Sequence, residues 1–322
     1  MVNKLVNNLK HFARRVSTFL LKHKTVTPLH YIALFIARFW HPYVNHKLSN
    51  SLKILYQLNK QEAFQKISLT GTAVLQLYTN NYIYLIPTGN ISVNSLAKNY
   101  HNWTLLNHSD YKHLVNYWLQ KISTTEIVYY KIEKLNPIED INTAYNSIYK
   151  ELIGEIQEND FQYIDFKMII HKLESLVSFK LDDLIPRLYK PSRGYVGMLH
   201  GDLTSNNILR NTAGNHVIID LDRLTFKGPQ VLDEIHYWFC ELEKKYKLQW
   251  LIILPSILEG KIPWVSPSRF KDMAKLNQLL TIYFFFRINA EVRDGIKLPT
   301  RYLQSLRSCL LAILTVQRSG IE

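Results

Sequence analysis

The sequence predicts an α+β chain of two lobes, a small antiparallel sheet followed by a mainly helical lobe, with a helical extension ahead of both. Three observations carry this. Residues 66–90, KISLTGTAVLQLYTNNYIYLIPTGN, hold three runs of β-branched and aromatic residues separated by turn residues. From about residue 140 apolar residues recur at helical spacing. One short hairpin, NILRNTAGNHVIIDL at 207–221, interrupts that helical stretch, with Gly214 supplying its positive-φ position.

In chain order, Leu5, Leu9, Phe12, Val16, Phe19 and Leu20 predict a helix over 1–24. Pro28 interrupts, a second helix runs over about 29–40, and a third over about 48–65. A three-stranded meander follows over 66–90, punctuated by Gly71, by Asn80-Asn81 and by Pro87 to Gly89. Residues 92–106 read as a helix, and EIVYYKIE at 126–133 as another strand. Helices are expected over 140–158, 160–178, 181–189, 231–246, 249–258, 267–290 and 299–317, with KPSRG at 190–194 as a turn. The boundaries expected are an extension over 1–60, a sheet lobe over 61–136 and a helical lobe over 137–322.

Composition narrows the class. The 322 residues are 47% hydrophobic and 20% charged, values of a folded globular protein and not of a disordered one. The net charge of +13 is concentrated at the start. Lys4, Lys10, Arg14, Arg15, Lys22, Lys24, Arg38, Lys47, Lys53 and Lys60 precede the first acid, Glu62. Such interleaved cations and apolar faces suit either a basic surface packed on the lobes or contact with an anionic membrane surface. No nucleic-acid motif accompanies the charge, so no nucleic acid is expected as a partner. Cys240 and Cys309 form no metal or redox pattern. The sequence has no secretory pattern and no apolar run of membrane-spanning length, and the expectation is a cytoplasmic protein, at most peripheral on the inner face of the membrane.

The chemistry lies in LHGDLTSNNIL at 199–209. Transfer of a phosphoryl group to a hydroxyl needs a carboxylate to orient the hydroxyl and accept its proton. It also needs hard cations, held by an Asp and often an Asn, to neutralise the phosphates. His200, Asp202 and Asn207 match the H-x-D-x-x-x-x-N spacing of a kinase catalytic loop. Asn207 opens the hairpin and Asp220 closes it, so pairing of the two strands brings them to the same end.

The run HGDL-x-x-x-NIL, the hairpin, IDLD and then GPQVLDEIHYWF resembles the aminoglycoside phosphotransferase and choline kinase family. Its members are small-molecule kinases with a protein-kinase-like fold. The stretch from IDLD to HYW looks closer to kinase-like proteins associated with bacterial surface polysaccharides than to drug-resistance kinases. The resemblance implies ATP and Mg²⁺ as cofactors and a small-molecule or glycan hydroxyl as acceptor. It implies that Asp202 is the catalytic base, that Asn207 and Asp220 are the Mg²⁺ ligands and that His200 braces the loop. Asp222 would support the metal site, and Asp233 would anchor the catalytic loop from below. The resemblance is concentrated in 195–240, extends thinly over 66–136 and does not reach 1–60.

Two features depart from that pattern. The strand expected to carry a phosphate-binding Lys reads YIYLIP, without a cation, and the following helix has Lys98 and Asn99 but no Glu. The glycine-rich loop reduces to Gly71, the one nucleotide-binding candidate in that turn. Three explanations stand open: Lys66 or Lys98 serves as the cation, or the enzyme handles its nucleotide in an unusual way, or the chain is no longer catalytic. Loss of the cation altogether would make it a catalytically degenerate pseudokinase, acting as a binding or membrane-surface scaffold. DEIH at 233–236 lacks the H-E-x-x-H spacing of a metal site, and the aromatic run Tyr283 to Phe286 reads as core.

Overall fold

The runs of β-branched and aromatic residues through 66–87 form three strands that are antiparallel neighbours. The computed structural model describes residues 41, 43–45, 47–152, 155–159, 192–263, 273–291 and 300–319, together with residues 13, 32–34, 36, 37, 170, 171, 173 and 174. The helices expected over 1–24, 29–40, 160–178 and 181–189 lie mainly outside the described residues. Two compact units emerge, 1–144 with 206–223, and 145–205 with 224–322. The loop and hairpin of the motif are thus divided, with Asp202 in the second unit and Asn207 and Asp220 in the first.

The first unit is built on a five-stranded antiparallel sheet of order β1-β2-β3-β5-β4. Its strands are β1 (Lys66–Leu69), β2 (Val74–Tyr78), β3 (Tyr82–Pro87), β4 (Leu119–Ser123) and β5 (Val128–Glu133). Helix α1 (Leu48–Asn59) packs Ile54, Leu55 and Leu58 with Leu75, Leu77, Tyr84, Ile86 and Tyr129 on one face of this sheet. Helix α2 (Asn90–Asn107) packs Leu96 and Tyr100 with Val74, Leu85 and Tyr130 of the other. Gly89, just before α2, is fixed by close approach: a Cβ there would lie 1.8 Å from the carbonyl oxygen of Tyr43. The hairpin of β8 (Ile208–Arg210) and β9 (His216–Ile218) completes the unit. Its turn places Gly214 at φ 87°, as the sequence predicts.

The second unit contains α3, which runs over Ile141–Leu152 and crosses the unit boundary. Its antiparallel sheet has the order β10-β7-β6, from β6 (Glu155–Asn159), β7 (Ser192–Leu199) and β10 (Thr225–Pro229). Helices α4 (Val231–Tyr246), α5 (Trp250–Leu258), α6 (Met273–Glu291) and α7 (Thr300–Ser319) enclose its core. Leu232, Ile235, Phe239, Leu254, Tyr283, Phe284, Leu306 and Leu310 are fully buried there.

The α+β class stands, and four local expectations are corrected. The helix expected over 48–65 ends at Asn59, where the amide of Lys60 turns back onto the carbonyls of Gln57 and Leu58. The helix expected over 140–158 ends at Leu152, and 155–159 is a strand because it pairs with β7. SRG at 192–194 is not a turn but the start of β7. The helical stretch therefore holds a three-stranded sheet besides the hairpin, and β4 adds an edge strand that the sequence did not announce. For the strands, long-range pairing outweighs a weak local pattern.

Candidate active site

The loop after β7 is shaped by a buried carboxylate. Asp233, in the first turn of α4, is 1% exposed. Its Oδ2 accepts the amide of His200 at 2.6 Å and its Oδ1 accepts the amide of Gly201 at 2.8 Å. The amide of Leu203 donates to it as well. Burial pushes the Asp233 pKa up to about 7, against the three amides, which pull it down. Gly201 takes φ 81°, in the region that favours glycine, and the chain turns there to present Asp202. His200 is fully buried, and its Nδ1 accepts the amide of Asp202 at 3.3 Å. The Gln230 side chain donates to the carbonyl of Met198 at 3.2 Å, tying the start of α4 to β7.

The side chain of Asp202 is 27% exposed, in contrast to the buried residues that hold its loop. Its Oδ1 lies 2.8 Å from His236 Nε2 on α4. Farther along the loop, Ser205 donates to Glu241 at 3.2 Å and Lys244 reaches both residues.

In the first unit the hairpin delivers the second group of predicted residues. The amide of Ile219 donates to the carbonyl of Asn207 at 3.0 Å, so Asn207 and Asp220 sit at the same end of the hairpin. Asp220 takes φ 63°, a left-handed conformation that costs most side chains about 1–2 kcal/mol and that Asp tolerates better than most. Three polar residues of α2, spaced i, i+4 and i+7, hold the turn that follows. Asn102 Nδ2 donates to the carbonyl of Leu221 at 2.6 Å, Asn99 Oδ1 accepts the amide of Leu221 at 3.2 Å, and Ser95 Oγ donates to Asp222 Oδ2 at 2.7 Å. Asp222 is therefore engaged by α2. Buried Tyr117 lies close enough to Asp220 that the carboxylate adds to the effect of burial, and both push the phenol pKa above its ordinary range.

Asn207 and Asp220 suit Mg²⁺, which takes one or two protein carboxylates or amides and completes its shell with phosphate oxygens and water. Among the described residues no group of three or more His, Cys, Asp or Glu is placed to hold a metal ion.

The sheet shows what surrounds the missing strand cation. Tyr84 of β3 is paired in register with Lys131 of β5. Lys131 Nζ lies 3.4 Å from Glu62 and over the rings of Tyr82 and Tyr84. A Lys–Glu pair thus exists, but on the face that α1 covers, opposite α2. On the α2 face, Lys66 and Ser68 of β1 stand opposite Tyr78 and Gln76 of β2. Ser68 and Tyr78 both donate to Gln76, and the Lys66 ammonium lies 5.0 Å from the centre of the Tyr78 ring. Gly71 is exposed in the β1–β2 turn, and a Cβ added to it would meet nothing within 4 Å. The left-handed residue of that turn is Ala73, at φ 62°.

Sequence reasoning missed Ser95, Asn99, Asn102, Tyr117 and His236. The first three carry a legible signal, a polar stripe at helical spacing on a helix next to a sheet. His236 and Tyr117 look like ordinary apolar-pattern residues until the fold brings an Asp to each.

No family model matches the chain, and no curated protein matches it. Among solved structures it is similar to choline kinase LicA from Streptococcus pneumoniae, at 13% identity over 82% of this chain and 98% of that one, with a TM-score of 0.42. It is similar to the gentamicin–APH(2")-IIa complex, at 15% identity over 80% and 95% of the two chains, with a TM-score of 0.44. It is also similar to the GDP complex of aminoglycoside 2'-phosphotransferase-IIIa, at 13% identity over 86% and 100%, with a TM-score of 0.43.

Proposed function

We propose that the chain is an ATP- and Mg²⁺-dependent phosphotransferase that acts on a hydroxyl of a small molecule or glycan. The observation that carries this reading is the clamp of Asp233 on the amides of His200 and Gly201. A fully buried carboxylate is committed to shaping one turn, and the Asp202 side chain that follows it is 27% exposed, which supports a group that meets an acceptor hydroxyl. The spacing H-x-D-x-x-x-x-N and the resemblance of residues 195–240 support the same assignment.

In this reading Asp202 accepts a hydrogen bond from the acceptor hydroxyl and takes its proton as the oxygen attacks. The bond from the γ-phosphorus to the bridging oxygen of ADP breaks while the bond to the acceptor oxygen forms. The proton stays on Asp202 and ADP leaves. Asn207 and Asp220 hold Mg²⁺, which when bound neutralises the charge of the phosphate oxygens. The α2 stripe of Ser95, Asn99 and Asn102 keeps the Asp220 turn in its left-handed conformation without touching the nucleotide. Lys66, on the α2 face of the sheet, is the cation assigned to the nucleotide phosphates in place of the missing strand Lys, with Gly71 in the turn beyond it. The basic segment 1–60 and the look of the IDLD–HYW stretch favour an envelope glycan or lipid-linked sugar as acceptor, met at an anionic membrane surface. Among the described residues no helix is long and apolar enough to cross a membrane.

The test is Mg²⁺-dependent release of ADP from ATP in the presence of candidate acceptors, with Asp202→Ala expected to lose about 10²–10⁴-fold in kcat. The missing strand cation favours a second reading, a catalytically degenerate pseudokinase that acts as a binding or membrane-surface scaffold without turnover. Its signature is no ADP formed from ATP and no difference between the wild type and Asp202→Ala. Flotation with anionic liposomes, lost on deletion of residues 1–47, tests the membrane surface.

A further inference from the structure

A side-chain contact of Asp202 leads into a hydrogen-bonded chain of groups behind it. Behind the 2.8 Å contact with His236 Nε2, the Nδ1 of the same ring lies 2.9 Å from the hydroxyl of Tyr283 on α6. Arg287, one turn farther along α6, donates to that hydroxyl through Nη1 at 3.0 Å. Arg287 is itself fixed by Glu243 of α4 at 3.1 Å and by the Trp250 ring, 4.8 Å below its guanidinium carbon. Glu243 also accepts the amide of Trp250 at 2.9 Å.

Chemistry fixes the direction of every proton. A guanidinium donates and cannot accept, so Tyr283 accepts from Arg287. Tyr283 is fully buried, and its own O–H has His236 Nδ1 as its acceptor. A buried hydroxyl left without an acceptor would be costly. Nδ1 is then unprotonated, the ring is neutral, and its one proton sits on Nε2, facing Asp202 Oδ1. The chain therefore points its donors one way, Arg287 to Tyr283 to His236 to Asp202, and ends on a carboxylate. Burial pushes the Tyr283 phenol above its ordinary range, and burial pushes the Cys240 thiol, 3.7 Å from Nε2, up to about 12.

We infer that His236 is the positioning residue of Asp202: locked as the Nε2–H tautomer by Tyr283 and Arg287, it fixes the orientation of the proposed base. This role rests on the phosphotransfer reading above, whereas the tautomer follows from the hydrogen bonds themselves. The geometry also gives His236 a reason to be buried at 4% exposure, on a helix face where an apolar residue would pack equally well.

The experiment has two arms. In the first, ¹⁵N-labelled full-length protein at pH 8 is examined by long-range ¹H–¹⁵N correlation, with the His236 ring identified by its loss in His236→Gln. The pattern expected is a protonated Nε2 and an unprotonated Nδ1, with the bias lost in Tyr283→Phe. A protonated Nδ1 in the wild type overturns the inference. In the second arm Mg²⁺–ATP turnover is measured, with water or an added alcohol as acceptor. His236→Ala is expected to lose about 100-fold in kcat with KM for ATP within about twofold, the signature of a misplaced group and not of lost binding. His236→Gln, which restores an N–H at similar reach, is expected to recover most of that loss, and circular dichroism identifies any variant that fails to fold. Wild-type kcat in His236→Ala, beside an inactive Asp202→Ala, overturns the positioning role and leaves the phosphotransfer reading standing. A wild type without turnover, showing the derived tautomer, sinks the phosphotransfer reading and the role with it, while the hydrogen-bonded chain survives.

Discussion

Asp233 makes the stability of this protein depend on pH in a direction opposite to that of most carboxylates. Its pKa rises from 3.8 to about 7 because burial penalises the charge more than three amides repay. The folded state therefore binds a proton that the unfolded state releases between those values. The stabilisation is complete below about pH 4, is lost as pH rises to about 7, and changes no further above that. At about 1.4 kcal/mol per pH unit, the interval corresponds to about 4 kcal/mol. The perturbation that isolates it is Asp233→Asn, a neutral isostere. With one acceptor in place of two, it leaves a loop amide without its partner, at about 1–3 kcal/mol. At pH 4.5 the variant should thus be less stable than the wild type by that amount. The gap should then move by about 3 kcal/mol in favour of the variant on going to pH 8, since part of the interval lies below pH 4.5. Urea denaturation of both proteins across this range measures it, and titration of the other carboxylates cancels in the difference. A gap that stays constant, or that widens as pH rises, refutes the reasoning and shows that the three amides hold Asp233 ionised throughout.

Three further outcomes follow from the same geometry. Asp220→Gly should be more stable than Asp220→Ala by about 1 kcal/mol in urea, because alanine at φ 63° retains the steric cost that glycine lacks. Asn102→Ala should cost about 1–3 kcal/mol by leaving the buried carbonyl of Leu221 unsatisfied, and should raise the Mg²⁺ concentration needed for ATP binding in a calorimetric titration. Gly89→Ala forces a methyl group onto the Tyr43 carbonyl, 1.8 Å from the ideal Cβ position, and should lower the thermal midpoint by the equivalent of about 1–3 kcal/mol.

The parts of the fold that were legible are those in which local pattern and tertiary structure agree. The runs over 66–87 are strands as their β-branched and aromatic content predicts, and Gly214 marks the turn of the β8–β9 hairpin because the chain there needs a positive φ. The strands at 155–159 and 192–199 were illegible for the opposite reason: EIQEN and SRG lack a β-rich run, and they are strands because they pair with each other across more than thirty residues of chain. At the candidate site the loop motif and the hairpin pointed to Asp202, Asn207 and Asp220, and the contact of Asp233 with the loop was an implication of the family resemblance alone. His236 could not. It sits in DEIH, which matches no metal spacing, and Tyr283 sits in an aromatic run that reads as core and is core. Their significance lies in protons passed between two helices, information that spacing along one chain does not contain. The Lys–Glu pair was hidden in the same way, since Lys131 and Glu62 come from separate elements and meet on the face of the sheet away from α2.

The most direct measurement is calorimetric titration of the full chain with ATP, with and without Mg²⁺, on the wild type, Asp202→Ala and Asp220→Ala, together with ADP formation by each. Mg²⁺-dependent binding that survives in Asp202→Ala and is lost in Asp220→Ala, with turnover lost in both, is the result the account predicts. Binding indifferent to Mg²⁺ or to residue 220, or turnover that persists without the carboxylate at 202, would contradict it.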